Sequence, residues 1–117
     1  MAGAQTSPIP NGLPYPVAQQ VPVQVLTDSG AITIPGGVVI LNKAGAIAAT
    51  LADPTVNGLI LHITSITAQA HTVDLVTGVN GGAADVGTFG GAIADGVTLI
   101  SYNGAWYQHS NTNVTFA

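Results

Sequence analysis

Cysteine is absent from this chain of 117 residues, and so are arginine and glutamate. The first absence excludes disulfides and thiol catalysis and leaves the compartment open. The other two leave Lys43 as the single cation beside five aspartates, so that 5% of the chain is charged, where ordinary globular chains carry about 25%. Neutralising phosphates takes clustered Lys and Arg, so nucleic acid is excluded as a partner and an anionic membrane is disfavoured. Long apolar runs are missing too. The nearest, "GGVVILNKAGAIAATLA", is broken by Asn42 and Lys43 and does not qualify as a membrane span. The opening "MAGAQTSPIP" has neither a basic region nor a hydrophobic one and is not expected to act as a secretory signal.

Scarce charge does not here mean disorder, because disordered chains are poor in apolar residues and this one is 47% hydrophobic. Its surface must be covered by hydroxyls, amides and small residues, or be hidden against other protein. Obligate interfaces lose charge at their centres, and weakly charged surfaces associate. A self-associating protein is the expectation.

Five of the seven prolines fall within the first 22 residues: Pro8, Pro10, Pro14, Pro16 and Pro22. Proline blocks helix interiors and central strands and pushes its predecessor toward extended backbone. Residues 1–22 therefore read as an extended arm; twenty stretched residues reach at most about 65–70 Å. Ile9, Leu13, Tyr15, Val17 and Val21 make this segment too apolar for an ordinary solvated tail, and they are the residues expected to bind a partner.

Residues 23–117 read as one all-β domain. Val, Ile and Thr are abundant and suit a pleated surface. Alternation places Val21, Val23 and Val25 on one face, and likewise Ile32 with Ile34, Leu59 with Leu61 and Ile63, Val73 with Leu75, and Val114 with Phe116. "VVIL" at 38–41 has no polar alternation and reads as covered on both sides. "AGAIAATLA" permits a helical turn near 44–51, and strand is preferred there. Between these runs lie turn signals, "DSG", "PGG", "KAG", "DPTVNG", "NGG" and "FGG". The result is about eight to ten short strands at the spacing expected of a sandwich or barrel.

Aromatic residues are few as well, and half of them lie in "LISYNGAWYQH" at 99–109. Asn-Gly between β-prone runs favours a two-residue type I′ hairpin, which sets Tyr102 against Ala105, Ser101 against Trp106 and Ile100 against Tyr107. Thr98, Ile100, Tyr102, Tyr107 and His109 then share one face. Val97, Leu99, Ser101, Trp106 and Gln108 share the other. The rings are split between faces, so Trp106 is expected in the core while Tyr102 and Tyr107 keep wet hydroxyls.

No nucleophile motif, phosphate loop or metal-ligand spacing occurs; His62, His71 and His109 are far apart in sequence. No catalytic, cofactor or metal residue is assigned, and the chain is not expected to be an enzyme. His71 shares the face of Val73 and Leu75 and reads as a half-buried, hydrogen-bonded side chain. If "ITSITAQAHTVD" forms a hairpin about Ala68, His62 approaches Asp74 as a cross-strand polar pair. Asp28 and Asp95 read as turn caps. "NVT" at 113–115 fits a glycosylation acceptor by chance.

Two longer stretches, "ATLADPTVNGLILHITSITAQAHTVDLV" and "TFGGAIADGVTLISYNGAWYQ", carry a resemblance. Across about residues 31–109 the chain resembles a module of small virion proteins of tailed bacteriophages. The marks are the "LADPT…G" turn, the "ITS-TA-AHTV" hairpin and the closing "F-GAI-DG-L—YNG-WY". That resemblance implies a β-sandwich or jelly-roll-like unit that self-associates, often as a homotrimer, on the virion surface. It implies a capsid decoration (cement) protein that bridges capsomers, with the major capsid protein and other copies of itself as partners. The same modules occur on heads and on fibres, so a head-fibre or tail-fibre unit gripping host glycan through Tyr102, Trp106, Tyr107 and His109 is the alternative. A free carbohydrate-binding domain is a third reading.

Overall fold

β-Branched runs and glycine-marked turns divide residues 21–117, the part that the computed structural model describes, into ten strands. They are β1 (Val23–Leu26), β2 (Gly30–Ala31), β3 (Gly37–Leu41), β4 (Ala48–Leu51), β5 (Ile60–Ser65), β6 (Thr72–Leu75), β7 (Val86–Phe89), β8 (Gly96–Tyr102), β9 (Ala105–Thr112) and β10 (Val114–Phe116). No helix forms among the described residues, and 48–51 is strand. Ile9, Leu13, Tyr15 and Val17 of the expected arm lie outside the described residues; Val21 lies within them.

Two five-stranded sheets result. Sheet A has the order β1-β3-β5-β8-β9 and sheet B the order β10-β7-β6-β4-β2. The first six strands alternate between the sheets. β1, β3 and β5 run parallel in sheet A, while β2, β4 and β6 run parallel in sheet B. Parallel neighbours need a crossover between them, and here each crossover is a strand of the opposite sheet. The chain thus winds as a flattened coil. Val23 lies opposite Val38 and Val38 opposite His62, unequal steps along the sequence, which is why no repeat marks the turns of the coil. β7 to β10 then close both sheets with antiparallel pairs.

This arrangement overturns the hairpin about Ala68. β5 and β6 belong to different sheets. Ile66 donates its N–H to Leu41 O and Thr72 to Ile47 O, so the chain crosses between sheets instead of reversing. His62 pairs with Thr98 and Asp74 lies opposite Val86; the two are not partners.

The inner faces meet in a single core. Val39, Leu41, Leu61, Ile63, Val97, Leu99 and Trp106 come from sheet A, and Ala49, Leu51, Val73, Leu75, Phe89 and Val114 from sheet B. A fully buried Val, Leu, Ile or Phe contributes about 1.5–3 kcal/mol. In β3 the inner Val39 and Leu41 are fully buried while Val38 and Ile40 are half-covered on the outside. Gly87 leaves room for the Phe116 ring, which a Cβ there would strike.

His71 is deeper than its sequence suggests, with no exposed surface. Its Nδ1 accepts the Ile47 N–H at 2.9 Å. Nδ1 is therefore unprotonated, the hydrogen sits on Nε2, and that nitrogen donates to Thr67 Oγ1 at 2.9 Å. The ring meets Phe89 edge-on, with centroids 6.3 Å apart. Burial holds the imidazole below its ordinary pKa, because a charged ring there would lose both its hydration and the Ile47 bond.

Candidate functional site: the outer face of sheet A

The Asn-Gly hairpin forms in the expected register. Tyr102 lies opposite Ala105, Ser101 opposite Trp106 and Ile100 opposite Tyr107. Asn103 and Gly104 take φ of 52° and 79°, the pair of positive values a type I′ turn requires. Register holds to Leu99 and Gln108; a bulge between Thr98 and Leu99 then sets Thr98 against Ser110, leaving His109 as the extra residue. Trp106 points into the core, 3% exposed, and its Nε1–H donates to Ala52 O at 2.9 Å.

Tyr102 and Tyr107 face outward, 61% and 39% exposed. With Ile100, Gln108 and His109 they line a shallow hollow of about 380 Å³. Ile60, itself 49% exposed, is the direct partner of Ile100. On its other side begins a second hollow of about 480 Å³, lined by Val21, Pro22, Pro35, Leu59 and His62 among others. The two hollows flank the Ile60–Ile100 pair on the outer face of sheet A, and the apolar surface they form, from the start of β1 to β9, is termed the groove. Neither half is lined by a charged residue. Val23 and Val25 carry the apolar surface further along β1.

Local chemistry holds this groove in shape. The "DPTVNG" loop is tied to the hairpin: Asn57 Oδ1 accepts the Asn103 N–H at 2.7 Å. Ser101 Oγ donates to Val56 O and accepts the Leu59 N–H, both at 2.8 Å. Gly58, at φ 83°, supplies the left-handed step that a side chain would strain. At the other end Val38 donates to Pro22 O at 2.9 Å. Gly37, at φ 116°, lies where a Cβ would collide with that carbonyl. His62 Nδ1 lies 2.9 Å from Thr98 Oγ1 on the same outer face.

The free edge of β9 is partly closed. Asn80, at φ 59°, donates its N–H to Trp106 O and accepts the Gln108 N–H on Oδ1 at 2.7 Å. A blocked edge resists uncontrolled strand addition.

Of the residues suggested for a glycan platform, the fold brings Tyr102, Tyr107 and His109 together and removes Trp106 to the core. Sequence reasoning put Ile100 on this face but missed Ile60 beside it and Pro22 on the rim. Ile60 and Ile100 become neighbours only through the β5–β8 pairing. A third, smaller hollow of about 140 Å³ lies at the end of the sandwich beside Trp106, Leu51 and Asp53. The Asp53 carboxylate there already accepts the Thr77 hydroxyl at 2.8 Å. Asp95 caps its turn by accepting the Ala92 N–H. Asp28 accepts the Ser29 N–H and pairs with Lys43 at 2.8 Å, and these bonds lower its pKa, the Lys43 hydrogen bond most. No group of three His or Asp side chains able to hold a metal ion occurs among the described residues. Comparison of the chain with known protein families and with curated proteins finds no match.

Proposed function

We propose that this protein is a structural subunit of a virion, a bacteriophage capsid decoration (cement) protein that associates with copies of itself and with the major capsid protein. One observation carries the reading: an uncharged apolar groove on the open face of sheet A, with Ile60, Tyr102 and Tyr107 exposed. Large exposed apolar patches mark interaction surfaces, and Tyr is favoured at interfaces because its ring is buried while its hydroxyl stays hydrated. Many modest contacts made together over capsomer junctions would give strength through effective concentration. The phage assignment itself rests on the sequence resemblance.

The test is location and dependence. Purified particles should carry this protein in hundreds of copies over shell junctions, and Ile60→Asp should strip it from empty heads without unfolding it. Undiminished head binding by a folded Ile60→Asp protein would reject the groove as the contact.

A head-fibre or tail-fibre module gripping host glycan is the second reading, favoured by the grouping of Tyr102, Tyr107 and His109 around one hollow. It predicts a few copies per particle at fibre positions and glycan-array binding that Tyr107→Ala abolishes. The decoration reading predicts no glycan binding.

A further inference from the structure

We propose that the groove on the outer face of sheet A is filled by the proline-rich segment 8–17 of an adjacent copy of this chain. The inference rests on the reading of the protein as a self-associating subunit and names the contact that joins the copies.

The first support is where the described chain begins. Val21 and Pro22 lie on the rim of the groove, and the Pro22 carbonyl is fastened to Val38 N–H at 2.9 Å. Twenty residues precede that point. In every copy they lead into Val21 on the rim of such a groove.

Chemical match is the second support. The groove is apolar, uncharged and partly walled by tyrosines, and residues 1–20 contain no Asp, Glu, Lys or Arg. Pro8, Pro10, Pro14 and Pro16 remove four of the ten backbone N–H donors of the segment, so it is a poor partner for a β-edge ladder. Proline-rich segments instead dock in shallow aromatic-lined grooves, because their extended helix is preformed and little entropy is lost. Ten such residues span about 31 Å. Five strands span about 19 Å. The segment is long enough to cross the whole face.

The third point separates a neighbour's groove from the chain's own. Residues 17–21, "VAQQV", contain no Gly, Pro, Asn or Asp, the residues that favour a tight return into the same groove, and self-association offers each segment the groove of the next copy.

Complementation in full-length chains tests this. One variant carries Leu13→Ser, Tyr15→Ser and Val17→Ser, which spoil the segment and leave the groove. The other carries Ile60→Asp and Tyr102→Ser, which spoil the groove and leave the segment. Sedimentation velocity should show wild-type self-association weakened at least about tenfold in each variant alone. Mixing the two, each with a different fluorescent label, should restore hetero-association with energy transfer, while unchanged melting temperatures show both folded. A mixture no better than its components overturns the proposal. Wild-type association by the segment variant overturns it too, yet leaves self-association standing. A wild type that stays monomeric at every concentration overturns the inference and removes the self-association beneath it.

Discussion

The two sheets are built alike inside and differ outside. On sheet A the outward positions include Val23, Val25, Ile60, Ile100, Tyr102 and Tyr107, with the polar His62, Thr64 and Thr98 further along β5 and β8. On sheet B they are Thr115, Thr88, Thr72 and Ala48 in one row across the strands, with Val86, Asp74, Thr50 and Ala31 in the next. Threonine keeps the β-branched stiffness that a strand wants and offers water a hydroxyl. Sheet B is therefore finished as a wet surface, whereas sheet A is left with an open apolar groove that water covers poorly. Low overall charge cannot explain this difference, since both faces are made from the same nearly uncharged chain. Position decides it.

The largest expected effect probes the hairpin that has one ring on each side of sheet A. Trp106→Ala empties a core site and strands the Ala52 carbonyl, and it should cost about 3–5 kcal/mol in denaturant unfolding. Tyr102→Ala, four residues away on the outer face, should alter stability by no more than about 0.5 kcal/mol. Comparable losses from both would mean that the outer face belongs to the fold and not to a partner.

That split was legible in the sequence, because Asn103-Gly104 fixes the register and the register assigns each ring its side. Alternation likewise marked most strands, and with them the inward Leu61, Ile63, Val73 and Leu75. Alternation says which residues turn inward; it is silent about which sheet a strand joins. The error over residues 60–75 came from there. Parallel partners such as β4 and β6 lie far apart in sequence, and no turn encodes their pairing. "SITAQAH" is a crossover whose bonds go to Leu41 and Ile47, and nothing local distinguishes it from a loose hairpin. The Tyr102–Tyr107 half of the groove was readable from one hairpin, whereas the Val21–Ile60 half depends on β1, β3 and β5 being laid side by side.

Ile60→Asp comes next in size. A carboxylate at the Ile60–Ile100 junction should weaken self-association at least about tenfold, or 1.4 kcal/mol, measured by sedimentation at matched concentrations. An unaffected association constant would place the contact elsewhere on the molecule.

Acid separates the core from both faces. With His71 held below its ordinary pKa by burial, the unfolded chain takes up this proton before the folded one does. Stability is then complete above about pH 6.5 and declines as pH falls below it, by at most about 1.4 kcal/mol per pH unit from this group. Denaturant midpoints at pH 7.5 and 5.0 should show that decline, and His71→Gln should flatten it. A slope unchanged by the substitution assigns the linkage to another residue.

The smallest expected effect is the one that tests the contrast between the faces most directly. Thr50→Lys puts a charge on the outer face of sheet B, beside Asp74 across the β4–β6 pair. Loss of β-branching and gain of a neighbouring opposite charge are each worth a few tenths of a kcal/mol and act in opposite directions. Stability should therefore stay within about 0.5 kcal/mol and self-association within about twofold of wild type. A loss of self-association from Thr50→Lys as large as the one expected from Ile60→Asp would show that any new charge suffices. The driving force would then be the scarcity of charge over the whole surface, not the groove that sheet A leaves open.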